Sequence, residues 1–228
     1  MTIEVSHRVG IVGGTGAQGS GLAYRFARAG HRVTLGSRDP VRAVDTADEL
    51  NARLADSHGS LLVGGDTNEG AAAAGDVVVL AIPYRGHDEV VAALPLAGKI
   101  VISCVNPVAF DSEGPIGLAL EGGRSSAAEQ VQRLAPKSQV VGAFHHVAAT
   151  SLLGDADYLA GEDVLVVSDF AEAKGVASRL AEAITGRPGV DAGRLRMARH
   201  VEALTAVLIS INKSYKTHAG IRIHGLAG

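Results

Sequence analysis

A short apolar run, Val9-Gly10-Ile11-Val12, gives way at once to Gly13-Gly14-Thr15-Gly16-Ala17-Gln18-Gly19-Ser20-Gly21, and helical character begins at Leu22. Gly14, Gly16 and Gly19 have the spacing G-x-G-x-x-G between a strand and a helix. In that context the glycines let the backbone turn tightly and approach a pyrophosphate set on the free N–H groups of the helix. In a chain with 29 glycines the bare pattern arises by chance, so its flanks decide its meaning. The next apolar run, residues 32–36, ends in Ser37-Arg38, where an acidic residue would grip the ribose 2′-OH of NAD. A hydroxyl and a guanidinium suit the 2′-phosphate of NADP(H) instead.

The 228 residues fit one large α/β domain, or one with a small appendage, and 46% hydrophobic content with 20% charged residues is enough for a sizeable core. A net charge of −3 and no Lys/Arg cluster give no basic field, so nucleic acid and anionic membrane are not expected as partners. The single cysteine, Cys104, cannot close an internal disulfide. No secretory segment precedes the first strand, and the apolar run 77–82 is far short of the roughly 18 residues that span a bilayer. A reducing cytoplasm is the expected location.

Periodicity predicts strands over residues 9–12, 32–36, 61–63, 77–82, 99–103, 139–143 and 163–167. Helices are predicted over 19–29, 41–54, 67–74, 86–94, from 125, over 169–184 and over 197–216. Asp39 is placed as N-cap of the second helix with Pro40 at its first position, and Ser126 with Glu129 has the spacing of a capping box. The run 77–82 is continuously apolar, as in a strand covered on both faces, so a doubly wound, mostly parallel Rossmann-type sheet is expected. Residues 106–123 lack clear periodicity, and 188–193 read as a linker or short strand. A dinucleotide-binding domain over 1–192 and a C-terminal helical extension over 193–228 follow. In the last helix Val201, Leu204, Thr205, Leu208, Ile211 and Asn212 share one face, and the tail 218–224 alternates too regularly for a disordered end.

Six features stand in a fixed order: the Gly-rich turn, Ser37-Arg38, Ile82-Pro83-Tyr84, residues 124–129 (Arg-Ser-Ser-Ala-Ala-Glu), Phe144-His145-His146-Val147 and Val201-Glu202-Ala203-Leu204-Thr205. With the closing Tyr215-Lys216-Thr217-His218-Ala219-Gly220-Ile221, the chain resembles the F420-dependent NADP oxidoreductases over nearly its whole length. The resemblance implies reversible hydride transfer between NADP(H) and the 8-hydroxy-5-deazaflavin of coenzyme F420. It implies that Gly14, Thr15, Gly16, Ala17 and Gln18 cradle the pyrophosphate and that Ser37, Arg38 and Arg42 hold the 2′-phosphate. Ile82 and Pro83 would flank the nicotinamide half, and Ala149 would lie near its amide. His145 and Val147 would stand beside the two facing rings, with Leu204 and Thr205 near the deazaflavin. Three positions depart from the pattern: Ala203 stands where a serine can occur, Ala148 where a proline can, and Val147 where some members have isoleucine.

Hydride transfer needs two flat rings held face to face and water kept out, so apolar walls suffice and no nucleophile is required. His145 is a candidate for the associated proton, since imidazole titrates near neutrality, although a strand-end histidine is often satisfied by backbone. A metal site at His145-His146 is rejected, because neighbours in an extended segment point to opposite faces. Two rivals remain: an NADPH-dependent reductase of an imine or carbonyl metabolite, and a non-catalytic NADPH-binding redox sensor. With only a short extension after residue 193, the site needs a broad external cofactor or a second copy of the chain to close it, and a homodimer is expected.

Overall fold

A computed structural model describes residues 6–58, 63–154 and 156–226. Its centre is an eight-stranded sheet in the order β10-β9-β8-β5-β4-β1-β2-β3. The strands are β1 (Arg8–Val12), β2 (Arg32–Ser37), β3 (Val63–Thr67), β4 (Val77–Leu80), β5 (Ile100–Ser103), β8 (Gln139–Gly142), β9 (Leu165–Ser168) and β10 (Val190–Asp191). A separate antiparallel hairpin, β6 (Val108–Phe110) and β7 (Pro115–Gly117), lies outside it. The helices are α1 (Ala17–Arg28), α2 (Pro40–His58), α3 (Asn68–Ala74), α4 (His87–Ala93), α5 (Ala127–Leu134), α6 (Ala149–Leu152), α7 (Ala171–Thr185) and α8 (Ala198–Tyr215).

Strands β3, β2, β1, β4, β5 and β8 are parallel, whereas β9 pairs antiparallel with β8. In β4 all four residues are buried, and they divide by alternation: Val77 and Val79 join the core beneath α1, α2 and α7, Val78 and Leu80 the core beneath α4, α5 and α8. The period of two thus puts one apolar layer on each face of the sheet, which is what makes it doubly wound. The sheet changes winding direction between β1 and β4, and a ligand crevice opens outside the carboxyl ends of strands at such a point.

Several expectations are corrected. Strand β4 stops at Leu80 rather than residue 82; Ala81 still donates to the Val12 carbonyl at 2.9 Å, and the chain then leaves the sheet. The third strand runs from Val63 to Thr67, and the expected Leu61 and Leu62 lie outside the described residues. Its Gly64-Gly65 does not read as strand, yet a Cβ on Gly65 would sit 2.3 Å from the Val44 backbone nitrogen, so close packing of α2 demands the glycine. Residues 106–123 contain the hairpin, turned by Asp111, whose carboxylate accepts the Glu113 and Gly114 amides at 2.8 and 3.1 Å.

The predicted caps are present. Asp39 Oδ1 accepts the Val41 amide at 3.0 Å, and Ser126 Oγ accepts the Glu129 amide at 3.1 Å. Residue 192 falls between β10 and a short 3-10 turn, Leu195–Met197, that leads into α8. The tail folds back on the body: Asp163 donates its amide to the Ile221 carbonyl at 2.7 Å, and its carboxylate accepts the Ile223 amide at 2.8 Å. Among the described residues no helix is long and apolar enough to cross a membrane.

Candidate active site

The Gly-rich turn joins β1 to α1 with Gly13 at φ +74°, a left-handed conformation that favours glycine. Gly14 donates to the Gly36 carbonyl at 2.8 Å and Gly13 to Asn68 Oδ1 at 3.0 Å, tying the turn to β2 and α3. A Cβ on Gly14 would stand 2.8 Å from Leu35 Cδ2, and one on Gly19 2.6 Å from the Gly13 carbonyl oxygen. Both glycines are therefore required by packing. Around Gly16 the nearest such atom is 3.4 Å away, so this side of the turn is open. Gly16 gives α1 no side-chain cap and no acidic residue follows in the first turn, which leaves the helix N–H groups and positive dipole end for an anion. These features fit a dinucleotide pyrophosphate.

At the end of β2, Ser37 is buried and its Oγ accepts the Asp39 amide at 3.1 Å, so the hydroxyl proton is free to donate outward. Arg38 and Arg42 are exposed and neither enters an ion pair among the described residues. Two guanidinium groups without carboxylate partners beside a hydroxyl suit a phosphate monoester. Beyond β4, half-buried Ile82 lies against the turn, its Cγ2 2.9 Å from where a Gly13 Cβ would be, and Pro83 is exposed.

The segment after β8 forms the facing side. Phe144 has φ +64°, rare for a bulky residue and costing about 1–3 kcal/mol. Gln18 holds it there, donating Nε2 to the Phe144 carbonyl at 3.1 Å, and the Phe26 ring meets the Phe144 ring edge-on at 5.8 Å. The Gln18 side chain is thus engaged in this bridge. The His145 carbonyl accepts from both Asn106 Nδ2 at 2.9 Å and Thr205 Oγ1 at 3.0 Å. One oxygen therefore joins β5's extension, β8's extension and α8.

The His145 ring is buried with neither nitrogen hydrogen-bonded, and its Cε1 lies toward Gly142, whose added Cβ would also meet Val167 and Ala198. Burial, and secondarily His146, pushes its pKa down to about 3, so the imidazole is neutral at physiological pH. Val147 is buried in the core layer that includes Leu22 and Phe26, and Ala149 opens α6 half-buried. Leu204 and Thr205 are half-buried on α8. A cleft of about 240 Å³ begins at Pro107, next to Asn106, and is lined by Gly117, Leu118, Arg199, Glu202 and Ala203 among others.

Several supporting residues escaped the sequence reading. Arg25 is fully buried in α1, and its guanidinium donates to the carbonyls of Leu152, Ala156, Asp157, Ser151 and Gly154 at 2.7–3.2 Å. It fixes the segment that follows α6. An arginine in the apolar stripe of Leu22 and Phe26 was the available signal. Glu202, also buried, accepts the Ala127 and Ala128 amides at 2.9 and 3.0 Å and caps α5 from another helix. Burial raises its carboxyl to about 7 despite those hydrogen bonds. Asn106 carried no motif at all.

Residues 8–107 match the model of the family described as NADP oxidoreductase, coenzyme F420-dependent. The F420-dependent NADP reductase of Methanothermobacter thermautotrophicus is 35% identical over 224 residues, 96% of this chain and 95% of its own. That of Methanocaldococcus jannaschii is 36% identical over 96% of this chain and 99% of its own. The chain belongs to the F420-dependent NADP reductases. Membership makes it an oxidoreductase that works with NADP(H) and coenzyme F420, as the resemblance implied. A solved structure of a candidate F420-dependent NADP-reductase from Arthrobacter sp. FB24 superposes with TM-score 0.75 at 26% identity, covering 96% of this chain and all of that one. A reductive aminase from Aspergillus terreus shares the fold at TM-score 0.60 and 18% identity, but this chain spans only 63% of its length.

Proposed function

We propose that the enzyme passes a hydride directly between the two cofactors in one cleft, with the Gly-rich turn and residues 144–149 as its walls and α8 as its floor. The observation that carries this reading is the His145 carbonyl, clamped by Asn106 and Thr205, together with the Gln18 bridge to Phe144. These contacts hold the segment expected between the rings to both the dinucleotide turn and α8. The cofactors themselves supply the chemistry, a hydride moving between nicotinamide C4 and deazaflavin C5 with one proton exchanged with solvent.

In this reading the amides of residues 14–18 receive the pyrophosphate, and Ser37, Arg38 and Arg42 receive the 2′-phosphate. Ile82, Pro83 and Ala149 border the nicotinamide, while Val147, Leu204 and Thr205 border the deazaflavin. His145, held neutral, acts by placing its carbonyl and by filling space, not by giving up a proton. The division at residue 192 assigns the dinucleotide to the first part and the second ring to the extension. Exposed Val207 and Tyr215 on α8 support a homodimer. Net charge −3 speaks against nucleic acid as a partner, and the lone, buried Cys104 thiol, pushed up to about 12, fits a reducing cytoplasm.

The test mixes the protein with NADPH and oxidised F420 and follows loss of the deazaflavin's visible absorbance. Turnover supports the proposal. Turnover only with imine or carbonyl compounds replaces it with the metabolite reductase, and NADPH binding without any turnover replaces it with the sensor.

A further inference from the structure

Phe144 is tied to Gln18, and the His145 carbonyl to Asn106 and Thr205, but none of these contacts reaches past residue 145. The rest of the wall is held from outside. His146 is buried, and its Nε2 lies 2.8 Å from the carbonyl oxygen of Asp163, just before β9. A carbonyl oxygen only accepts, so the imidazole carries its proton on Nε2 and donates it. Burial pushes its pKa below the usual value, which keeps Nδ1 unprotonated, and that nitrogen has no partner among the described residues. The one hydrogen bond of the ring therefore anchors the wall.

Asp163 is itself a junction. Its amide donates to Ile221 and its carboxylate accepts from Ile223, so the tail lies along it. Arg222 Nε at 3.8 Å and Arg187 Nε at 4.0 Å balance the buried charge, and Arg222 also donates to the Ala160 carbonyl at 3.1 Å. Earlier in the tail, Ala219 donates to Asn212 Oδ1 at 2.6 Å, which ties it to the end of α8, and His218 Nδ1 meets Thr150 Oγ1 at 3.1 Å, one residue beyond Ala149. A Cβ on Gly220 would stand 2.2 Å from Glu162 Cδ, so the chain passes close against the residue before Asp163. The tail thus touches the wall directly at Thr150 and, through Asp163, at His146.

We propose that His146 is a positioning residue for hydride transfer and that the C-terminal tail, 218–223, is the strap that holds it, fixing residues 146–150 from the outer side of the cleft. The inference rests on the single-cleft reading above, in which Val147 and Ala149 border the rings. Both stand within the strapped stretch, so slack in the strap becomes slack in the ring-to-ring distance. Hydride transfer is steeply sensitive to that distance. Nucleotide affinity, in the same reading, belongs to the Gly-rich turn and Ser37-Arg38, which the strap does not touch.

The experiment measures single-turnover hydride transfer from NADPH to oxidised F420, and NADPH affinity by calorimetry, in wild type, His146→Leu, His146→Gln and Ile223→Pro. Leucine keeps bulk without a donor, glutamine keeps an N–H in the place of Nε2, and proline removes the amide that Asp163 holds. Transfer is expected to slow about 5- to 30-fold in His146→Leu and about 2- to 5-fold in Ile223→Pro, with NADPH affinity held within about twofold and most of the rate regained in His146→Gln. A purely structural residue would lower the melting temperature and leave the rate of the folded enzyme alone. An unchanged rate in His146→Leu, or a His146→Gln enzyme as slow as it, overturns the positioning role, and an unchanged rate in Ile223→Pro overturns the strap. If His146→Leu does not fold, Ile223→Pro decides by the same readout. A wild-type protein that passes no hydride to F420 overturns the single-cleft reading and this proposal together.

Discussion

The two sides of the cleft are built on different principles. The proposed dinucleotide side is local: one turn of nine residues, 13–21, in which glycines satisfy steric demands and the amides at the start of α1 are left without a side-chain cap. The side proposed for the deazaflavin is assembled from segments more than thirty residues apart, with Asn106, His145 and Thr205 meeting at one carbonyl. A motif can encode the first because its geometry depends on its own neighbours. The second exists only once the sheet has formed, so its supports are side chains that reach across the fold.

If that contrast is right, the largest effect comes from a support far from both cofactors. Arg25→Met should cost about 3–5 kcal/mol in denaturant unfolding, because five carbonyls lose their common donor inside the core. A loss under about 1 kcal/mol would mean that segment 151–157 holds itself. Next, Gly19→Ala drives a Cβ to 2.6 Å from the Gly13 carbonyl and 2.7 Å from Gly14 Cα, so the turn must shift. Calorimetry should show NADPH binding lost and stability lowered by about 1–3 kcal/mol.

A sharper cut separates the two ends of the nucleotide. Arg38→Ala should weaken NADPH binding by about 1–3 kcal/mol and leave NADH unaffected, through loss of a charge-assisted contact. Equal losses for both would take Arg38 off the 2′-phosphate.

A titration tests the α8 side. Glu202 sits at about 7 when folded against 4.5 for the free group, so the folded chain keeps a proton across that window which the unfolded chain has released. Its contribution to stability is full below about 4.5 and is lost as pH rises through about 7. The stability gap between wild type and Glu202→Gln should therefore shift against wild type by roughly 3 kcal/mol between those limits. His145 works with the opposite sign, its contribution falling as pH drops from its free value of 6.5 toward about 3, which is why the difference between the two proteins is the quantity to follow.

The same contrast explains what was legible in the sequence. Residues 77–82 read as a doubly covered strand, of which 77–80 form β4, because burial on both faces forces continuous apolar residues, and Asp39-Pro40 and Ser126 read as caps because capping is local. The reach of strand β3 past residue 63 was not read because Gly64-Gly65 reflects close packing of α2, a tertiary demand with no local signature. The hairpin at 108–117 was hidden because its strands are three residues each and half-buried at best, with Phe110 and Ile116 exposed, so no alternation develops. At the candidate site, Gly14, Gly16, Gly19 and Ser37-Arg38 could be named from spacing, while Thr15, Ala17, Gln18 and the proposed ring contacts could be named only through resemblance. Gln18 shows the limit: its place in the motif was plain, but its side chain's reach to Phe144, 126 residues away, was not.

The most direct test of a single cleft holding both rings is isotopic. With NADPH deuterated at the transferred C4 position and oxidised F420 in ordinary water, the label should appear at C5 of the reduced deazaflavin, read by mass spectrometry and NMR. Hydrogen from solvent at that carbon, with the label lost to water, would contradict direct transfer and with it the account of the cleft.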